Sequence, residues 1–195
     1  VNISKVYGSI GEAIRHASFQ VASIVTTTGF STADFDAWPA FSQTILVILM
    51  FVGSCSGCTA GGIKISRVVI FIKSIHKELC SMVHPRQVLK IRMDRKPVPH
   101  DTVRATNVYF AAYFFTFFAS MLLISLNCLD FKTNFTAIVA MMGNIGPGLS
   151  LVGPTGNFSV FNDMSKIVLM FDMLAGRLEL FPMLILFHPS TWRKY

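Results

Sequence analysis

From Ala105 to Leu129 the chain carries no charged side chain. A helix crossing the ~30 Å hydrocarbon core of a bilayer needs about 20 apolar residues. The Phe-rich run Val103–Leu129 therefore predicts a membrane-spanning helix. Composition agrees: of 195 residues 52% are hydrophobic and 14% charged, with a mean hydropathy of +0.56, whereas soluble domains usually carry about 25% charge. Inside a bilayer, non-helical backbone is tolerated only where it is buried in protein or lines water. Each polar, glycine-bearing interruption of an apolar run is then a place to look for function.

The interruptions recur. Gly11–Val25, with Glu12, Arg15 and His16 on its early turns, is too short and too polar to span, and predicts a half-membrane re-entrant helix. Thr26-Thr27-Thr28-Gly29-Phe30 follows, then an acidic loop with Asp34, Asp36 and Trp38. Phe41–Val52 is strongly apolar until Gly53-Ser54-Cys55-Ser56-Gly57-Cys58-Thr59-Ala60-Gly61-Gly62 breaks it, and the apolar pattern resumes over Ile63–Ile75. This predicts one membrane helix broken in the middle. Leu79–Asp101 reads as a basic, proline-containing connector. After the Val103–Leu129 span, Phe131–Gly143 is again half-length, with Asn144-Ile145-Gly146-Pro147-Gly148 and a Gly/Pro/Asn-rich loop behind it. Lys166–Phe187 is expected to be a last continuous span.

Placing Gly29 on Gly146, an offset of 117 residues (146 − 29), aligns the two half-helices and their polar turns. Leu49-Met50-Phe51 returns as Leu169-Met170-Phe171 at a similar offset. Internal repeats of this kind are common in transport folds.

Ten of the seventeen Lys and Arg lie between Lys64 and Arg104. They sit between apolar runs without interleaved aromatics, which suits a positive-inside loop better than nucleic acid. Four cysteines make no disulfide framework here. Cys55-x-x-Cys58 lacks a second ligand pair for a metal. Gly57 to Lys64 misses the phosphate-loop lysine position. Gly53-x-Cys55-x-Gly57 mimics a nucleophile elbow without His or acid partners. Nothing in the sequence forms a catalytic constellation, so an enzyme is not expected. The chain begins with Val, shows no signal-peptide pattern, and is expected to be a piece of a longer protein.

Read from residues alone, Thr26–Phe30 and Asn144–Gly148 are either ordinary polar turns or rows of carbonyls facing a cation, with Gly29 and Gly146 permitting unusual backbone angles. Arg177 lies deep in the last apolar run. It is either in an ion pair with Asp172 or Glu179, or faces water, because a charge at the bilayer centre costs about 2.5–3.5 kcal/mol. Asp34, Asp36 and Asp163 are solvated loop acids or concentrate cations at a mouth.

Together, Thr26–Phe30, the broken helix ending Gly61-Gly62-Ile63-Lys64, Asn144–Gly148 and Gly176-Arg177-Leu178-Glu179 resemble the Trk/Ktr potassium transporters, most closely the Trk-type membrane subunit, over nearly the whole chain. The resemblance implies an all-α polytopic membrane protein with a K+-channel-like fold. Residues 1–100 would hold the third pore repeat and a cytoplasmic connector, and residues 101–195 the fourth. Thr26, Thr27, Thr28, Gly29, Asn144, Ile145 and Gly146 would bind potassium through backbone oxygens. Gly53, Gly57, Gly61 and Gly62 would form an intramembrane gating loop, with Arg177 an electrostatic barrier beside it. Cys58 and Ala60 depart from the family pattern, which favours Ser and Gly there; Pro147, where Phe30 stands in the first turn, fits the fourth repeat. No cofactor is expected, and potassium is the substrate. Implied partners are membrane lipid, the remaining repeats of the subunit, a second subunit in a homodimer and a cytoplasmic nucleotide-binding regulatory subunit, with no nucleic acid. The implied location is a bacterial inner membrane, multi-pass. Sodium- or proton-coupled symport and a non-conducting membrane scaffold remain alternatives.

Overall fold

A computed structural model describes residues 6–53, 61–84, 87, 89–93, 96–178, 180–186 and 189–192. The chain is mostly helical: α1 (Ile10–Val25), α2 (Ala40–Phe51), α3 (Ile65–Val83), α4 (His100–Ser125), α5 (Phe131–Met142), α6 (Asp163–Arg177) and α7 (Leu180–Leu186). The all-helical expectation is corrected by one small antiparallel pair, in which Arg92–Met93 meets Lys96–Pro97. It falls in the connector between α3 and α4, where prolines end helical structure. Among the described residues, one helix, His100–Ser125, is long and apolar enough to cross a membrane.

Helix α5 begins at a side-chain cap. Asp130 caps α5 by accepting from the Thr133 N–H at 3.0 Å and from the Thr133 hydroxyl. The latter bond, foremost, holds the Asp130 carboxyl below the usual carboxylate range. Helix α5 is the centre of the molecule. Ala137, Ile138, Val139, Ala140 and Met142 are buried, surrounded by α2, α4 and α6. Phe51, Phe117 and Phe135 from α2, α4 and α5 meet with ring centroids 5.4–6.1 Å apart, distances typical of offset and edge-on pairs. The outer side of α4 leaves Phe115, Phe118 and Leu122 exposed, a broad apolar surface of the kind that marks a membrane or protein contact.

Two expected boundaries move. Helix α3 continues to Val83, past the expected end near Ile75 and into the stretch read as connector. Lys77, Glu78 and Leu79 are good helix formers, and charge alone does not stop a helix. The last span is not continuous: α6 ends at Arg177 and α7 starts at Leu180. Pro182 explains the break. In an unbroken helix it would have no N–H for the Leu178 carbonyl and its ring would strike that carbonyl; in the first turn of a new helix neither penalty applies.

At the loop side of the bundle, Lys132 Nζ reaches Asp36 Oδ1 at 2.7 Å, tying the acidic loop to the start of α5. Burial pushes the Asp36 carboxyl up, but hydrogen bonds from Lys132 and the Ser150 backbone, with the Lys132 charge, bring it below its ordinary value. Both side chains remain partly exposed (44% and 30%), so screening keeps the pair weak. Lys132→Ala is expected to cost less than about 1 kcal/mol at neutral pH. A depressed carboxylate contributes stability above its unfolded pKa and loses it as the pH falls through the folded value, so the difference from wild type should fade below about pH 4. Thermal unfolding at pH 7 and pH 3 checks both.

Candidate functional site

Both half-helices close with the same cap. At the end of α1 the N–H groups of Thr26, Thr27 and Thr28 donate to the carbonyls of Ala22, Ile24 and Ser23 at 3.0, 3.1 and 2.9 Å. At the end of α5 the N–H groups of Gly143, Asn144 and Ile145 donate to Val139, Met141 and Ala140 at 2.9, 3.0 and 2.9 Å. The 117-residue offset carries each bond onto its counterpart. This is a Schellman cap, which requires a left-handed residue just past the helix. Thr27 and Asn144 occupy that place, each with φ +54°, and Gly29 and Gly146 follow with φ +77° and +103°. Asparagine tolerates this conformation, whereas a β-branched threonine there is a true outlier. Strain of about 1–3 kcal/mol at such a residue persists only where its surroundings over-determine it. The sequence directs attention to the glycines and misses the left-handed residues two positions before them.

The two turns touch. A side chain added at Gly29 would collide with the Ile145 carbonyl oxygen and lie 3.4 Å from Pro147 Cδ. Among the described residues, no N–H or O–H donates to the carbonyls of Thr26, Thr27, Thr28, Gly29, Asn144, Ile145 or Gly146. The Phe30 carbonyl differs, accepting from the Ser23 hydroxyl at 2.6 Å. Thr26 and Thr28 hydroxyls bond each other at 2.6 Å, and Thr26 also donates to Ala22 O. Their side chains are thereby committed to holding the turn. What remains for another ligand is a pair of adjoining backbone segments rich in acceptors.

The interruption after α2 reaches this place from one side. Gly53 N–H donates to Ile63 O at 2.8 Å and Ile63 N–H to Phe51 O at 3.2 Å, so the two ends of the interruption are pinned together. Gly53, Gly61 and Gly62 are buried, and Gly62 has φ +75°. A Cβ on Gly61 would sit 2.7 Å from the Gly143 carbonyl oxygen and 2.9 Å from Asn144 Cβ. Gly57, Cys55 and Cys58 lie outside the described residues.

Helix α6 arrives from the other side. A Cβ on Gly176 would strike the Met142 carbonyl and lie 2.9 Å from Asn144 Nδ2, and that amide donates to Met173 O at 3.0 Å. Gly61 and Gly176 thus flank Asn144. Arg177, the next residue, is the exposed final residue of α6, a position that favours a cation at the helix's negative end. Asp172, one of the two carboxylates weighed as its ion partner, is instead fully buried and accepts from Ser120 Oγ at 2.7 Å; Glu179 lies outside the described residues. The Ser120–Asp172 bond joins α4 to α6, and Ser120 carries no sequence signal beyond being a polar residue in an apolar run. Asp34, Asp36 and Asp163 all fall outside these turns. Asp36 engages Lys132, and Asp163 meets Lys166 at 3.4 Å.

The TrkH family, described as "Cation transport protein", matches residues 4–194. The chain is 39% identical over 189 residues to the Trk system potassium uptake protein TrkH of Escherichia coli K12, covering 97% of this chain and 39% of that protein. It is 37% identical to TrkI of Halomonas elongata over 184 residues, covering 93% and 37%. The crystal structure of the potassium transporter TrkH from Vibrio parahaemolyticus superposes with a TM-score of 0.87 at 39% identity, over 96% of this chain and 40% of the other. The chain thus spans about two-fifths of the length of these relatives. With residues 4–194 matched and the helical fold shared, the chain belongs to the TrkH family of cation transport proteins.

Proposed function

We propose that the chain supplies two of the walls of a potassium-uptake pore in a bacterial inner membrane. The observation that carries this reading is the meeting of the two capped turns at Gly29 and Ile145, with seven neighbouring carbonyls that accept from no donor among the described residues. Dehydrated cations take such oxygens in place of water. The negative ends of α1 and α5 point the same partial charge into the site. Thr26, Thr27, Thr28 and Gly29 form one wall and Asn144, Ile145 and Gly146 the other, in two pseudo-repeats within residues 1–100 and 101–195. Relatives named as potassium uptake proteins support potassium as the cargo.

Gly53, Gly57, Gly61 and Gly62 belong to a loop that obstructs the pore. Gly61 packs against the Gly143–Asn144 cap, so movement of the loop is felt at the turn. Arg177, one residue from the Gly176 contact with Asn144, sets an electrostatic barrier there. The family is one of transporters rather than enzymes. Uptake is driven at least partly by membrane potential, worth about 2.3 kcal/mol per charge per 100 mV. Sodium- or proton-coupled symport is the second reading within this class. The complete pore needs the other repeats of the subunit, works as a homodimer and is gated by a cytoplasmic nucleotide-binding partner at the basic connector.

The intact gene is expected to restore growth at low potassium in a strain lacking its own uptake systems. Failure of rescue, with the protein present in the membrane, would favour a non-conducting scaffold instead.

A further inference from the structure

A cavity of about 630 Å³ opens between α3, the first turns of α4 and the short hairpin. Lys77, Lys90, His100 and Arg104 line it together with Ile91 and Val103. Glu78 is the one carboxylate among its described lining residues, which leaves three fixed cations against one anion. None of Lys77, Lys90, His100 and Arg104 makes a side-chain hydrogen bond or ion pair among the described residues. Neighbouring cations are occupied: Lys73 Nζ donates to Arg92 O at 2.7 Å, and the Arg67 guanidinium lies 4.2 Å from the Tyr109 ring centroid. The floor is polar as well, where Asn107 Nδ2 approaches Ser74 Oγ at 3.4 Å.

Position selects the ligand. The cavity surrounds the first two turns of α4, the helix long enough to cross a membrane, and so lies at headgroup depth at its basic end. Apolar side chains share the cavity wall, among them Leu89, Ile91, Val103 and the exposed Val108 of α4. Cations grouped at headgroup level beside apolar side chains suit an amphiphile with a negative head. Basic pockets between membrane helices on the cytoplasmic side bind anionic headgroups in this way, and lysine and arginine stems can lie along apolar surface while their charges reach a phosphate.

We propose that this cavity is a binding site for the phosphate headgroup of an anionic phospholipid. The inference uses the membrane placement proposed above but not potassium conduction, so it is tested without measuring transport. Native mass spectrometry of the purified intact protein, titrated with phosphatidylglycerol or with phosphatidylcholine of the same acyl chains, reads the binding directly. Phosphatidylglycerol should be retained in preference, and Lys77→Gln with Arg104→Gln should weaken that retention about 30-fold, two basic charges at the surface being removed. Arg104→Lys, which keeps the charge, should retain most of it, which separates loss of the site from loss of the fold. Lys166→Gln, outside this cavity, should leave it unchanged.

Equal retention of the two lipids would overturn the proposal, as would unchanged retention in the double variant or loss in Lys166→Gln to the same degree. Glycerol 3-phosphate at equal concentration should not compete. If it displaces the lipid, the site belongs to a soluble phosphate and the lipid assignment fails. Failure of the intact wild-type protein to take up potassium, with lipid retention intact, would count against the pore and leave this site standing.

Discussion

Gly29→Ala is expected to lower potassium uptake by the intact protein at least about tenfold. Two costs combine at this position. An L-residue held in the left-handed region loses roughly 1–2 kcal/mol relative to glycine, and Gly29 has φ +77°. The added methyl also meets the backbone carbonyl of Ile145, which cannot swing away like the end of a side chain. Overpacking against a fixed neighbour costs typically 1–3 kcal/mol, and 1.4 kcal/mol is already a factor of ten. The displaced atom is one of the carbonyl oxygens assigned to the ion, so function should suffer more than global stability.

Gly146→Ala provides the comparison. Its φ is +103°, but nothing lies within 4 Å of a Cβ built there. It should share the conformational strain without the collision and lose less uptake. Rubidium uptake normalised to protein in the membrane, with thermal unfolding of the purified variants alongside, separates the two effects. Wild-type uptake by Gly29→Ala would show that close approach of the turns is not needed for transport.

The cap hydrogen bonds explain why so much of this site is legible in sequence. A half-length helix announces its end through a run of residues that cannot continue it. Asp130 at one end of α5 and Gly143 at the other bracket it almost as Phe131–Gly143 predicts. The paired turns are found because their glycines sit two residues beyond equivalent left-handed positions. The occupants of those positions were hidden: Thr27 is a poor left-handed residue by any local rule, and only the surrounding contacts hold it there. Local pattern also gave no warning of the break after Arg177, because apolar residues continue on both sides and the decisive group is the missing N–H of Pro182. Ser120–Asp172 and the cavity beside Arg104 are products of tertiary packing between α3, α4 and α6, and no spacing along one segment encodes them.

Gly176→Ala carries the second large effect, and its sign depends on which of two opposed quantities wins. In a helix interior alanine is favoured over glycine by about 0.8–1.0 kcal/mol, so a residue at the end of α6 with free space would be stabilised. Gly176 has none. The new methyl would overlap the Met142 carbonyl at the end of α5 and press on Asn144 Nδ2. The contact is backbone on one side and, on the other, an amide already fixed to Met173 O. A backbone carbonyl cannot yield, so overpacking toward the upper part of about 1–3 kcal/mol outweighs the propensity gain, and a net loss of stability of up to roughly 2 kcal/mol is expected.

Relief is available only by moving α6 away from α5 or by releasing Asn144 from its left-handed conformation. Either change reaches the carbonyls of Asn144 and Ile145, so uptake should fall with stability. Gly11→Ala in α1 tests the reasoning, since the nearest atom to a Cβ there is Ser9 Oγ at an ordinary 3.7 Å. That substitution should leave thermal unfolding unchanged or slightly raised. If Gly176→Ala and Gly11→Ala shift the unfolding temperature in the same upward direction, α6 does not depend on a side-chain-free contact with the second turn. Opposite shifts, with uptake lost only in Gly176→Ala, tie the spacing of α5 and α6 to the geometry of the carbonyl row.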